Sequence, residues 1–105
     1  MLILKGNQGK SRVIDNIRHS LRNYTQSICF EYTDDRPVMY DSTYITSDEC
    51  TPVEFVECVH DFIKTDHYSY TYIFLYTNKT EDELCEAIQW LRNQPYHTNI
   101  ILACR

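Results

Sequence analysis

Glycine and proline are scarce in this chain, with 2 and 3 among 105 residues. Glycine is the residue that enters left-handed backbone without steric cost, so a protein assembled from many tight hairpins is disfavoured. Basic residues are also in deficit: 10 Lys and Arg face 15 Asp and Glu, for a net charge of −5. That balance argues against general affinity for a nucleic-acid backbone or an anionic membrane. The sequence has no apolar run of membrane-spanning length and no stretch resembling a secretory leader. Its five cysteines, Cys29, Cys50, Cys58, Cys85 and Cys104, are odd in number and form no C-x-x-C pair. These absences lead us to expect a reduced, cytoplasmic protein without a membrane segment. His19, His60, His67 and His97 share no metal-ligand spacing with one another or with the cysteines, so no structural metal is expected.

What is present is ordinary globular material. Hydrophobic residues make up 43% and charged residues 24%, and the length suits one domain over residues 1–105. Met1-Leu2-Ile3-Leu4 is a short apolar run that stops at a segment holding both glycines, Gly6 and Gly9. Val13, Ile14, Ile17 and Leu21 then recur at helical spacing. Residues 27–32 read as a second strand running into Thr33-Asp34-Asp35-Arg36-Pro37. Residues 38–50 carry only a weak pattern, either short extended pieces or an ordered loop. Thr51-Pro52-Val53-Glu54 and Thr80-Glu81-Asp82-Glu83 are capping boxes, each heading an amphipathic stretch. Residues 70–76 and 99–104 look like strands buried on both faces. The predicted fold is therefore α/β: a three-layer α/β/α domain with a mainly parallel sheet of about four strands. Helices are predicted near residues 10–24, 52–65 and 81–94, with the glycine segment at the carboxyl rim of the sheet.

In such sheets ligands gather at the carboxyl ends of strands, where helix amino termini offer free amides. The segment Lys5-Gly6-Asn7-Gln8-Gly9-Lys10-Ser11 stands there and closes in G-K-S. Glycine lets amides turn toward an anion, Lys10 brings a mobile cation, and Ser11 offers a hydroxyl to Mg²⁺. With its strand and helix context this segment resembles the Walker A loop of P-loop NTPases, with Leu4 in the place of the first glycine. It is also similar to the K-G-G-x-G-K-[ST] loop of the deviant Walker A group, with Asn7 in place of a glycine. The resemblance implies a P-loop NTPase-like fold and a phosphate site at Gly6, Asn7, Gln8, Gly9, Lys10 and Ser11. It also implies ATP or GTP with Mg²⁺ on Ser11, and Lys5 reaching phosphate across a dimer. Residues 100–105 resemble the sensor strand of the additional-strand branch, and the last core strand of most such enzymes is missing. Where the family carries a Walker B acid, this chain has Thr77-Asn78-Lys79, so weak or absent hydrolysis is expected.

Asp34 and Asp35 are the carboxylates that could position water or a metal on the same rim, against the simpler reading of a solvated turn. Cys29, Cys104, Cys58 and Cys85 are expected to be buried as small apolar residues, and His60 to lie near the exposed face of its helix. The chain has nine tyrosines, several of them near residues 68–76; their bodies are expected to fill the gap between sheet and helices, with a partner surface as the alternative. The functional expectation is nucleotide or phosphate binding. The rival is a non-enzymatic interaction or regulatory protein of a phage or mobile element, meeting a protein partner through its acidic or tyrosine-rich surface. A receiver-like or Rossmann-like domain, with a purely structural glycine loop, is the third possibility.

Overall fold

Tyr72, Phe74 and Tyr76 project to one side of their strand while Ile73 and Leu75 project to the other, and all five are buried. Such a strand needs a covering layer on each face. In the computed structural model, which describes residues 1–6, 9–39 and 42–105, both layers are present. The elements are β1 (Leu2–Lys5), α1 (Lys10–Leu21), β2 (Ser27–Thr33), β3 (Thr43–Thr46), α2 (Pro52–Thr65), β4 (Thr71–Tyr76), α3 (Cys85–Arg92) and β5 (Ile100–Cys104), with a 3₁₀ turn at His97–Asn99. All the strand pairs are parallel, in the order β1-β5-β4-β2-β3.

The chain moves across the sheet from β1 to β2 and β3, then back to β4 and β5. Parallel crossovers are right-handed, so the outward and returning helices fall on opposite faces. The cores agree with this. Ile14 of α1 packs with Cys29, Met39, Ile73, Leu75, Ile101 and Ala103. On the other face, Phe55, Val56, Val59 and Ile63 of α2 and Ala87, Ile88 and Leu91 of α3 pack on Phe30, Tyr32, Tyr72, Phe74, Tyr76 and Leu102. The strand tyrosines thus fill the gap between sheet and helices, and Tyr76 Oη donates to the Pro52 carbonyl at 3.0 Å.

Several predicted boundaries need correction. The sheet has five strands rather than about four: the weak stretch 43–46 is an edge strand, with Phe30 opposite Thr43 and Thr33 opposite Thr46. The Thr46 amide is capped by Glu49 Oε2 at 2.9 Å. Because Ser47 N–H, one residue on, donates to Thr33 O at 2.8 Å, the Thr46 amide faces away from the sheet, so Glu49 blunts the open edge. Helix α1 ends at Leu21 instead of near residue 24. At α3 the box forms, with Glu83 N–H donating to Thr80 Oγ1 at 3.3 Å and Thr80 N–H to Glu83 Oε1 at 3.2 Å. The residues behind it wind tightly, Cys85 N–H bonding Asp82 O at 3.4 Å, and regular α-helix starts only at Cys85. Two cysteine expectations also fail: Cys58 and Cys85 are exposed, while Cys29 and Cys104 are buried. Cys58 lines a groove between α2 and β3. Among the described residues no helix is long and apolar enough to cross a membrane.

Candidate functional site

An all-parallel sheet puts every strand's carboxyl end on one rim, so the loops after β1, β2 and β4 share it with the end of β5. β1 is an edge strand paired only with β5, Lys5 lying opposite Cys104. Gly6 N–H extends that ladder by donating to Cys104 O at 3.1 Å. Gly9 then enters α1 with φ 74 and ψ 8, a left-handed conformation at the helix N-cap. Gly9, having no side chain, makes no side-chain cap, and the first turn contains no acidic residue. The amides of Lys10, Ser11 and Arg12 at that turn have no intrahelical acceptor. Ser11 is half-buried in the same turn. Asn7 and Gln8, expected to complete the loop, lie outside the described residues.

Lysines flank the loop on both sides. Lys10 Nζ donates to Gly6 O at 2.8 Å. Burial is the largest influence on its ammonium and lowers its pKa, opposed by Cys104 and reinforced by the nearby Arg105 cation. Lys5 Nζ stands 3.2 Å from Glu81 Oε2. The buried Cys104 thiol has its pKa raised, first by burial and then by Glu81, with Lys10 and Lys5 acting the other way. Lys5, Lys10, Arg105 and Glu81 therefore cluster around the end of β5. A cleft of about 200 Å³ opens beside them, lined by Leu4, Lys5, Gly6, Lys10, Val13 and Ala103.

Glu81 was missed by sequence reasoning, which used the acids after β4 only as helix caps. The available signal was that a capping box employs Glu83 alone, leaving Glu81 free at the rim. The donor set does not make a Mg²⁺ site from the chain's own groups, since its carboxylate is paired with Lys5 and its other charged groups are cations. Among the described residues no group of three or more His, Cys, Asp or Glu could hold a metal.

Asp34 and Asp35 do not join this cluster. β5 and β4 separate β2 from β1, which puts the two aspartates about 14 Å along the rim at roughly 4.8 Å per strand. Asp34 Oδ1 accepts Ser47 Oγ–H at 2.6 Å and its other oxygen accepts Asn78 Nδ2–H. Those bonds, Ser47 first, hold its carboxyl below the usual range. Asp34 thus fastens the ends of β2, β3 and β4 together, and Asn78, standing where an acid was sought, is part of that fastening. Asp35 is exposed, its amide donating to Thr33 Oγ1 at 3.4 Å, as in a solvated turn.

One further polar group escaped the sequence reading, and a second was misplaced by it. Glu31 is fully buried in β2, and its carboxylate accepts Val38 N–H and Ser42 Oγ–H, each at 2.8 Å, together with Met39 N–H. Its signal was an acid in the middle of an apolar strand. His60 is half-buried rather than near an exposed face. Its Nδ1 lies 2.6 Å from Tyr96 Oη and its ring meets Trp90 edge-on.

Comparison with protein-family models, with curated proteins and with solved structures finds no match to this chain.

Proposed function

We propose that the domain binds a phosphate group, free or at the end of a nucleotide, through Gly6, Asn7, Gln8, Gly9, Lys10 and Ser11. The observation that carries this reading is the first turn of α1, entered through left-handed Gly9, which offers no side-chain cap, and flanked by Lys5 and Lys10. In a chain of net charge −5, this concentration of donors and cations on one rim is what an anion requires. Hydrolysis is not part of the proposal. Phosphoryl transfer needs charge stabilised on both sides of the phosphate and a group to orient water. Of the rim carboxylates, Asp34 is engaged by Ser47 and Asn78 and Glu81 by Lys5, and the exposed Asp35 lies with Asp34 three strands away from the loop.

Titration of ¹⁵N-labelled protein with inorganic phosphate, ATP and GTP tests the reading. The amides of Gly6, Gly9, Lys10 and Ser11 move first, and Lys10→Ala weakens binding about tenfold, the size expected for a lost charged hydrogen bond. Unmoved amides in a folded protein would remove the proposal. Phosphate release from ATP or GTP near about 1 s⁻¹, abolished by Lys10→Ala, would show that the loop also catalyses.

A protein-interaction role is favoured by one separate observation. An apolar groove of about 330 Å³ runs between α2 and edge strand β3, lined by Ile28, Phe30, Ile45, Phe55, Val59 and Phe62 among others. Phe62 is 47% exposed there, and Glu54, Glu57 and Asp61 lie on the exposed side of the same helix. Apolar floor and acidic rim match a basic amphipathic segment of a partner protein. An alternating Lys/Leu peptide is expected to shift Phe62 and Ile45 resonances in a salt-sensitive way. Equal binding of a Glu/Leu peptide, or self-association through the groove, would overturn this second reading.

A further inference from the structure

We propose that the outer face of α1 and the turn after it form a site for single-stranded nucleic acid, with arginines on its phosphates and Tyr24 as the platform for a base. The site lies at the far end of α1 from the glycine loop, and the inference does not depend on the phosphate reading of that loop.

A net charge of −5 averages over two unlike parts of the chain. Lys5, Lys10, Arg12, Arg18 and Arg22 are half of its 10 basic residues and fall within the first 26, where Asp15 is the one acid. Residues 46–90 run the other way, with 10 of the 15 acids against two lysines. α1 packs on one face of the sheet, while α2 and α3, which start in that acidic stretch, pack on the other. The sheet therefore stands between a basic helix and an acidic pair, and a polyanion is steered to the α1 side.

At 3.6 residues per turn, Arg12, Asp15, Arg18, His19 and Arg22 form one stripe beside the apolar side that holds Ile14. Where α1 turns into β2, a polar cleft of about 670 Å³ opens among Arg18, His19, Arg22, Thr25, Gln26 and Ser27, with Asp15 as its acid. Arg18 is set in place there, Nε donating to Ser27 Oγ at 3.0 Å and Nη2 to Ser27 O at 3.4 Å. His19 and Arg22 are exposed and have no partner among the described residues. Arg22 is not needed as a helix cap, because Tyr24 N–H and Thr25 N–H already donate to Leu21 O at 2.8 and 2.9 Å.

Tyr24 stands between Arg22 and Thr25 and is 87% exposed, the most open large apolar side chain among the described residues. An open aromatic ring beside guanidiniums supplies what an unpaired base and its phosphate require, a face for stacking and charge-assisted donors. Duplexes keep their base faces stacked, so the single-stranded form is the one that can use the ring. An acidic polypeptide would engage the arginines and leave Tyr24 idle.

The probes are fluorescein-labelled oligodeoxythymidine and oligouridine strands of about ten nucleotides, within the site sizes of single-strand binders. A DNA duplex and polyglutamate serve as the competing polyanions. Binding is followed by anisotropy and by NMR of ¹⁵N-labelled protein. Wild type is expected to bind a single strand about fivefold or more tightly than either competitor, the share of one stacked base, with the amides of Arg22, Tyr24 and Thr25 moving first. Preference for one of the two strands keeps the proposal and names the sugar that the site takes. Tyr24→Ala is expected to lose about fivefold in affinity and Tyr24→Trp to keep it. Arg22→Ala is expected to lose about tenfold, as for a charged hydrogen bond. With two phosphates contacted, affinity falls about sevenfold between about 50 and about 200 mM salt, at a slope near −0.7 per phosphate. Glu57→Gln, on the opposite layer, changes affinity by less than about twofold because salt screens at that distance. Equal binding of the duplex or of polyglutamate, or wild-type affinity in Tyr24→Ala, would overturn the proposal. Loss of strand binding in Lys10→Ala with Arg22→Ala unaffected would place the contact at the glycine loop and overturn this site. Absence of strand binding by the wild type at about 50 mM salt, where such contacts are strongest, would overturn it while leaving the phosphate reading intact.

Discussion

A chain with 2 glycines has to find left-handed backbone elsewhere, and it does so at His67 and Tyr68, with φ 54 and 60. Both lie in the connection from α2 to β4, and Tyr68 is held by its ring contact with Tyr96 at 5.3 Å. A side chain in that region strains the backbone by roughly 1 kcal/mol. His67→Gly is therefore expected to stabilise the protein by roughly 0.5 kcal/mol once glycine's entropy is counted, which urea denaturation would measure. At Gly9 the sign reverses. Among the described residues nothing lies within 4 Å of an added Cβ, yet φ is +74, so Gly9→Ala is expected to cost about 1 kcal/mol through strain alone. Glu31 is the residue on which the segment after β2 depends. Replacing it with Ala strands two amides and a hydroxyl at its carboxylate and should cost about 3 kcal/mol; an unchanged urea midpoint would show that water replaces it.

At the level of elements the chain repeats one local device. Thr46 with Glu49, Thr51 with Glu54 and Thr80 with Glu83 are each a threonine whose backbone amide donates to the carboxylate three residues on. In all three the glutamate's pKa is lowered, chiefly by that amide and next by the threonine side chain. A lowered carboxyl contributes stability that is present above its unfolded pKa and lost as pH falls through the folded one. Asp34 behaves in the same way. Stability is expected to be flat above about pH 5 and to fall progressively below about pH 4, the ordinary carboxylate range. Thermal melts along that series check it, and Thr51→Ala, which removes one cap, should cost about 1 kcal/mol at neutral pH. Helix α2 was legible to its end residues because proline and a complete box mark its start. β3 was not, since two exposed and two half-buried residues on a sheet edge leave no clear period.

For the molecule as a whole, the alternation of strands and helices was enough to give three layers and a parallel sheet, because each strand's burial can be read locally. The strand order could not be read, because pairing joins residues far apart in sequence. That order decides the site: it carries Asp34 away from the glycine loop and brings Glu81 to it. It also has a kinetic side. Leu2 pairs with Ile101 and Lys5 with Cys104, so β1 has no sheet neighbour until β5 is made. The β2–β4 pair can zip earlier, across a shorter stretch of chain. Ordering the glycine loop is then expected to be a late event in folding, since long loops must close before such contacts reward the chain. In pulsed hydrogen exchange during refolding, the amides of β1 should gain protection after those of β4. A protein so built would complete the rim beside β1 only once its sheet was already formed elsewhere, sparing the half-made chain an exposed edge of cations.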